Sequence, residues 1–262
     1  MTYSTLLFDV KDGVAHITLN RPDAANSINE EMGEDLMHAA LRCDEDSEIR
    51  AVLISGAGKI FSAGGDLKTF FTKGKDLPYY IKVTTTFLHA AMSRLTRMDA
   101  PVVAAVHGAV AGAGLSIAIA CDMVVAAEKT RFMVAYTRAG LTPDGSATYF
   151  LPRIVGLKRA LELTLTNRTF SAQEALQWGL VTRVVPEDEL LEQARTMAIQ
   201  LARGPTRAYG VSKRLIHCGW AETLETQMEN ESQAIADSAR SSDAREGITA
   251  FLEKRPAKFK VR

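Results

Sequence analysis

Residues 101–114 read Pro101-Val-Val-Ala-Ala-Val-His107-Gly108-Ala-Val-Ala-Gly112-Ala113-Gly114. An apolar run of strand length gives way to glycine and alanine, and Leu115 to Ala120 then continues as an apolar stretch of helical character. Glycine lets the backbone turn tightly and lets a second group come close to its amides. The first N–H groups of a helix have no intrahelical acceptor, so they can hold an anion or a polarised oxygen.

A second segment follows the same plan. Ala51 to Ser55 reads as a buried strand, Gly56-Ala57-Gly58 ends it, and Ile60-Phe61-Ser62-Ala63-Gly64-Gly65-Asp66-Leu67 follows. Side by side, two such loops can aim two backbone donors at one oxygen. That is an oxyanion hole, worth about 3 kcal/mol per donor to a transition state. Either loop alone is most often just a turn. The 108–114 loop also invites a dinucleotide reading, but its spacing is G-x-x-x-G-x-G rather than G-x-G-x-x-G, and Glu128 is poorly placed as a ribose-binding acid.

Around these loops the chain alternates strand and helix signals. Leu6 to Val10 and Val14 to Leu19 flank Asp12-Gly13, a hairpin signature. Ser27-Ile28-Asn29-Glu30 matches a capping box, with Met32, Leu36 and Ala40 at helical spacing behind it. Met123 to Ala127 reads as another core strand. Beyond residue 145 helices dominate: Ser171-Ala172-Gln173-Glu174 is a second capping box with Gly179 as a stop, Pro186 opens a helix ended by Gly204-Pro205, and helical stretches follow near 221–239 and 243–253. The class is α/β, with repeated strand–strand–helix or strand–helix units over residues 1–200 and a helical C-terminal region over 201–262 that packs on the body or on a neighbouring subunit.

Bulk composition narrows the function. The chain has 262 residues, 47% hydrophobic and 24% charged, an ordinary globular balance. Lys plus Arg equals Asp plus Glu at 31 each, so no overall field recruits nucleic acid or an acidic membrane. Cys43, Cys121 and Cys218 lack metal or disulfide spacing, and the five histidines lie on unrelated stretches, with His107 read as a hydrogen-bonded core residue. No signal peptide and no long apolar run is visible, so a cytoplasmic protein without metal or membrane partner is expected.

Taken in order with their flanks, Phe61-Ser-Ala-Gly-Gly-Asp-Leu-Lys68 and Pro101 to Asp122 resemble the two oxyanion loops of the crotonase (enoyl-CoA hydratase/isomerase) family. The likeness continues through Gly140-Leu-Thr-Pro-Asp144, Leu151-Pro-Arg153, Ser171 to Val181 and Ala250-Phe-Leu-Glu-Lys254. The resemblance implies a crotonase-like spiral of ββα units with a helical trimerisation region, a homotrimer or homohexamer, and an acyl-CoA thioester as substrate without a further cofactor. The oxyanion donors it implies are the amides of Ala63 and Ala113. Gly64, Gly65, Asp66, Leu67, Gly112 and Tyr136 would line the CoA and acyl site, and Phe251 and Lys254 match tail positions that in some members reach a neighbour's CoA.

Hydratases of this family use two glutamates, and the matching positions here are Ser116 and Tyr136. Neither carries a negative charge near neutral pH. An acid stands instead at Asp144, where it resembles the branch that shifts double bonds or isomerises a ring epoxide, including the epoxyphenylacetyl-CoA isomerases. One carboxylate suffices to take a proton from one carbon and return it to another. The alternatives at this stage are a structural N-cap role for Asp144, a hydratase or lyase with an unusual acid/base pair, and a family member that binds acyl-CoA without chemistry. Pocket residues are expected from Lys68 to Leu95.

Overall fold

The computed structural model of the chain describes residues 2–260. Its strands are β1 (Leu6–Lys11), β2 (Val14–Leu19), β3 (Ala51–Gly56), β4 (Val102–Val106), β5 (Ala109–Ala111), β6 (Met123–Ala127), β7 (Arg131–Met133), β8 (Phe170–Ser171) and β9 (Arg183–Val185). Its α-helices are α1 (Glu30–Glu45), α2 (Leu67–Thr72), α3 (Leu77–Arg97), α4 (Ala113–Ala120), α5 (Ala147–Val155), α6 (Leu157–Thr166), α7 (Ala172–Gln177), α8 (Leu190–Ala202), α9 (Thr206–Cys218), α10 (Leu224–Ala239) and α11 (Ser242–Leu252).

A main sheet runs β1-β2-β3-β4-β6-β9, parallel except for the β1–β2 hairpin. The hairpin turns at Asp12 and Gly13, both at positive φ, as the Asp-Gly pair demands. Alternation along the strands serves two cores. Val52, Ile54, Val102 and Ala104 face one cluster shared with α1, α3 and α4. Ala51, Leu53, Val103 and Ala105 face another, closed by Leu190, Ala194, Ala198 and Ala202 of α8. Helices cover both faces, which is why these strands read as unbroken apolar runs.

The expected spiral of ββα units is present. After β4 the chain enters the small sheet β5-β7-β8 and then α4; after β6 it enters the same sheet as β7 before α5. The turn after β3 repeats this in rudiment, through a single bridge from Ser62 to Val110 ahead of α2. Each unit therefore delivers a short loop to one end of the main sheet. There the 60–66 and 107–112 segments zip together: Phe61 N–H donates to His107 O, Ser62 N–H to Ala109 O and Ala111 N–H to Ser62 O.

Several local expectations change. Ser27 does not cap α1. Ile28 is held by Gly64 O and Asp66 N–H, so the helix starts two residues later and Asn29 caps it, accepting from Met32 N–H at 3.1 Å. The Ser171–Glu174 box forms with both bonds in place, and Gly179 turns the chain at φ +78. The 200/201 division falls inside α8, and the tail helices begin at Thr206. Strands β5, β7, β8 and β9 went unread. Among the described residues no helix is long and apolar enough to cross a membrane.

The tail is tied to the body by Lys213 on α9. Its Nζ reaches Asp122 at 2.7 Å and the carbonyls of Leu95 and Ala100, while Asp122 also accepts from Val102 N–H. Lys213→Met leaves that carboxylate uncompensated, so unfolding in urea should show a loss of about 3 kcal/mol. A loss too small to measure would mean solvent already supports both charges. Helix α10 has no buried residue at all and exposes Leu224, Met228 and Ile235.

Candidate active site

A cavity of about 330 Å³ opens where the two glycine-rich loops meet. One wall is backbone from Ala63, Gly65, Gly112 and Ala113; the opposite wall is Leu67, Phe70, Ile81, Thr84, Thr85, Leu88 and His89 of α2 and α3; Tyr136, Leu141 and Asp144 close the end. The segment 68–95 does supply much of the pocket.

The loops can touch because they lack side chains where they cross. A Cβ built on Gly64, at φ +96, would lie 2.9 Å from Ala111 O and 3.1 Å from Ala113 N. On Gly114 it would lie 2.6 Å from Ser62 Cβ. Ala113 is the first residue of α4, so its N–H has no intrahelical acceptor, and it donates to no other partner among the described residues. Gly112 precedes it at φ +52, which points that helix end at the cavity.

The first loop corrects one expectation. Ala63 N–H is already bonded to Ala25 O at 3.0 Å, so it is not an available donor. Ile28 pairs across Gly65 in a parallel bridge, taking Gly64 O and Asp66 N–H. Backbone groups alternate in direction along such a segment, so Gly65 N–H faces the other way, and among the described residues it has no acceptor. Among the residues of these two loops that line the cavity, the amides without an acceptor are those of Gly65 and Ala113.

Asp66 is buried and does not line the cavity. Its Oδ1 caps α2 at Thr69 N–H, and Arg21 binds its Oδ2 at 2.9 Å. Burial works to raise its pKa, but the bonds from the Thr69 amide and from Arg21 outweigh this and hold it below the ordinary carboxylate value. A lowered pKa stabilises the fold above the unfolded value and is lost as pH falls through the folded one. The stability gap between wild type and Asp66→Asn should therefore be full at neutral pH and close below about pH 4. Equal gaps at both pH values, measured by urea titration, would contradict this.

At the cavity's end Tyr136 Oη donates to Asp144 Oδ1 at 2.5 Å. Ser116 Oγ lies 2.9 Å from Tyr136 Oη and 3.0 Å from Asp144 O. Burial, and then the adjacent Asp144 charge, push the Tyr136 phenol well above its usual pKa, so it stays a donor. Asp144 does not cap α5: the cap position is Ser146, without a side-chain bond. Among the described lining residues Asp144 is the one carboxylate.

His89 was not singled out by sequence. It shares the cavity, and its Nε2 accepts from Gly145 N–H at 3.1 Å, which places its own proton on Nδ1. Its signal was periodicity: Ile81, Thr85 and His89 recur every four residues on α3. His107 bonds Gly58 O at 3.0 Å and is half-buried. Phe251, 83% exposed, and Lys254 sit at the end of α11, outside this cavity.

The profile of the enoyl-CoA hydratase/isomerase family matches residues 9–262, and the chain belongs to that family. Its relatives include the 1,2-epoxyphenylacetyl-CoA isomerase of Escherichia coli, 37% identical over 97% of both chains. A 4-chlorobenzoyl coenzyme A dehalogenase of an Arthrobacter species is 34% identical, over 93% of this chain and 88% of its own. The crystal structure of an enoyl-CoA hydratase from a Polaromonas species superposes with a TM-score of 0.93 at 32% identity, covering 97% of this chain and 99% of that one. The fold is the crotonase fold.

Proposed function

We propose that this chain is an acyl-CoA isomerase that moves a carbon–carbon double bond, or opens a ring epoxide, through a thioester enolate. The amides of Gly65 and Ala113 donate to the thioester oxygen, and charge that develops there meets donors already in place. Asp144 takes the proton next to the carbonyl through Oδ2, since Oδ1 is held by Tyr136. It then returns that proton two carbons away along the dienolate. Bond and proton bookkeeping close without a metal, a redox group or a second reactant, so no cofactor beyond the substrate's own CoA is needed.

The observation that carries this reading is the single carboxylate in the cavity, with Ser116 and Tyr136 bonded around it where water addition calls for two acids. A second reading rests on His89. On the α3 wall it offers its Nδ1–H as a donor, and with it a water could be held for Asp144 to deprotonate, either for hydration or for displacement of a leaving group on an aromatic acyl-CoA.

Mass spectrometry separates these outcomes on 3-enoyl-CoA, crotonyl-CoA, an aromatic epoxide thioester and 4-chlorobenzoyl-CoA. Isomerisation leaves mass unchanged and moves the ultraviolet absorbance. Hydration adds one water, and displacement releases chloride. Binding with none of these changes, and no exchange of substrate α-protons in D₂O, would mark a silent acyl-CoA binder and defeat the proposal. We further propose a cytoplasmic homotrimer or homohexamer, supported by the apolar side chains that α10 leaves uncovered and by Phe251 and Lys254, free to approach a neighbour's CoA.

A further inference from the structure

The end wall of the cavity holds three polar side chains in a chain of bonds that ends at the carboxylate. We infer that Tyr136, supported by Ser116, is a positioning residue that locks Asp144 so that only Oδ2 is presented to the acyl group. The inference rests on Asp144 acting as the base.

The main chain of Asp144 is already fixed. Its carbonyl accepts from Ala147 N–H at 3.1 Å, with Ser116 Oγ 3.0 Å away, and the next amide, Gly145 N–H, is held by His89. Gly145 lies at φ +56 with its Cα so close to α4 that an added Cβ would meet Ser116 Cβ at 2.9 Å. A small residue at 116 is thus what lets the 144–145 loop seat against the helix. None of these contacts restrains rotation of the Asp144 carboxyl group about its own side-chain bonds. The Tyr136 hydroxyl does, by holding Oδ1 at 2.5 Å.

Tyr136 is itself anchored. Its N–H donates to Val134 O and its carbonyl accepts from Ala139 and Leu141 N–H, which fixes its main chain, while its side chain packs against the main core. Its proton goes to Asp144, so its oxygen is an acceptor toward Ser116, whose single proton has Tyr136 Oη, Asp144 O and, at 3.3 Å, Gly112 O within reach. Gly112 is the residue before the Ala113 donor. One short relay therefore ties the base to the start of the helix that carries an oxyanion amide, and it fixes the separation of the two groups that must act on one substrate.

The chemical need is geometric. A proton leaves one carbon and arrives at another while the carboxylate stays over the same face of the allylic unit. A base free to swing reaches the wrong face or meets water instead, and misplacement of this kind costs turnover rather than binding. The hydroxyl of Tyr136 is thus committed to Asp144 and not to the acyl group.

The test is exchange of the α-protons of phenylacetyl-CoA in D₂O, followed by mass, for wild type, Asp144→Asn, Tyr136→Phe, Ser116→Ala and the Ser116→Ala/Tyr136→Phe pair, each checked for unchanged melting. The expected result is a fall in kcat of about 10-fold to 100-fold for Tyr136→Phe with KM within twofold. Ser116→Ala falls less, and it adds nothing on top of Tyr136→Phe because it acts through that hydroxyl. Wild-type kcat in Tyr136→Phe beside an inactive Asp144→Asn overturns the positioning role and leaves the base intact. A full Ser116→Ala loss added to that of Tyr136→Phe overturns the relay. Undiminished exchange in Asp144→Asn, or none in wild type, removes the base itself and the inference with it.

Discussion

Asp144→Asn should lower turnover on the order of 10³-fold and leave acyl-CoA affinity within about twofold. The change is nearly isosteric. Asn keeps an oxygen for the Tyr136 hydroxyl, and the bond from Ala147 and the approach of Ser116 Oγ are to the residue's backbone carbonyl, which the substitution does not touch. What disappears is the capacity to accept a proton. Because the Gly65 and Ala113 amides proposed to hold the thioester oxygen and the α2–α3 wall are untouched, binding and melting temperature should hold while kcat drops. Isothermal titration with a non-reacting acyl-CoA, beside initial rates on a 3-enoyl-CoA, reads both. Full activity in this variant would remove Asp144 from the chemistry and with it the isomerase proposal.

Gly64→Ala should be nearly as damaging, although residue 64, against expectation, does not line the cavity. Alanine at φ +96 is strained by about 1–2 kcal/mol before any contact is counted. Its methyl then meets Ala111 O and Ala113 N, so the two loops must separate. If the two amides share the thioester oxygen as proposed, a shift of a few tenths of an ångström takes one of them off it, and loss of a single such donor lowers kcat by roughly 10²-fold to 10³-fold. Gly74→Ala is the control. It lies at φ +51 with nothing within 4 Å, so it should cost stability of the same backbone origin without touching rate. Equal rates for the two variants would show that the loop crossing tolerates expansion.

The parts of this molecule that could be read in advance are those whose signal is local and repeated. The hairpin at Asp12-Gly13, the strands at 51–56, 102–106 and 123–127, and the Ser171 box each follow from a few adjacent residues. The small sheet could not be read, since β5, β7 and β8 are two or three residues long and exist only because the loops pair with one another. Pairing also decided Ser27 against Asn29, because the bridge at Ile28 holds that stretch extended. The same bridge decided which amide of Ala63-Gly64-Gly65 is free. Composition marks the loop as permissive, but only the partner strand fixes which N–H turns outward. The place of Asp144 in the cavity was suggested because an acid there departs from the family's usual pattern, and Asp66 misled because its charge is consumed by Arg21.

Helix α4 has eight residues and every one of them is buried. Such an element has no outer side on which mutation can accumulate harmlessly, and its amide end cannot drift without disturbing the interior on all sides. Adaptation to a longer or broader acyl group is therefore channelled to the facing helices, where Leu67, Thr85 and His89 border both cavity and solvent. One side of the cleft is a fixed jaw that defines the chemistry; the other is the adjustable jaw on which a new substrate range can be written.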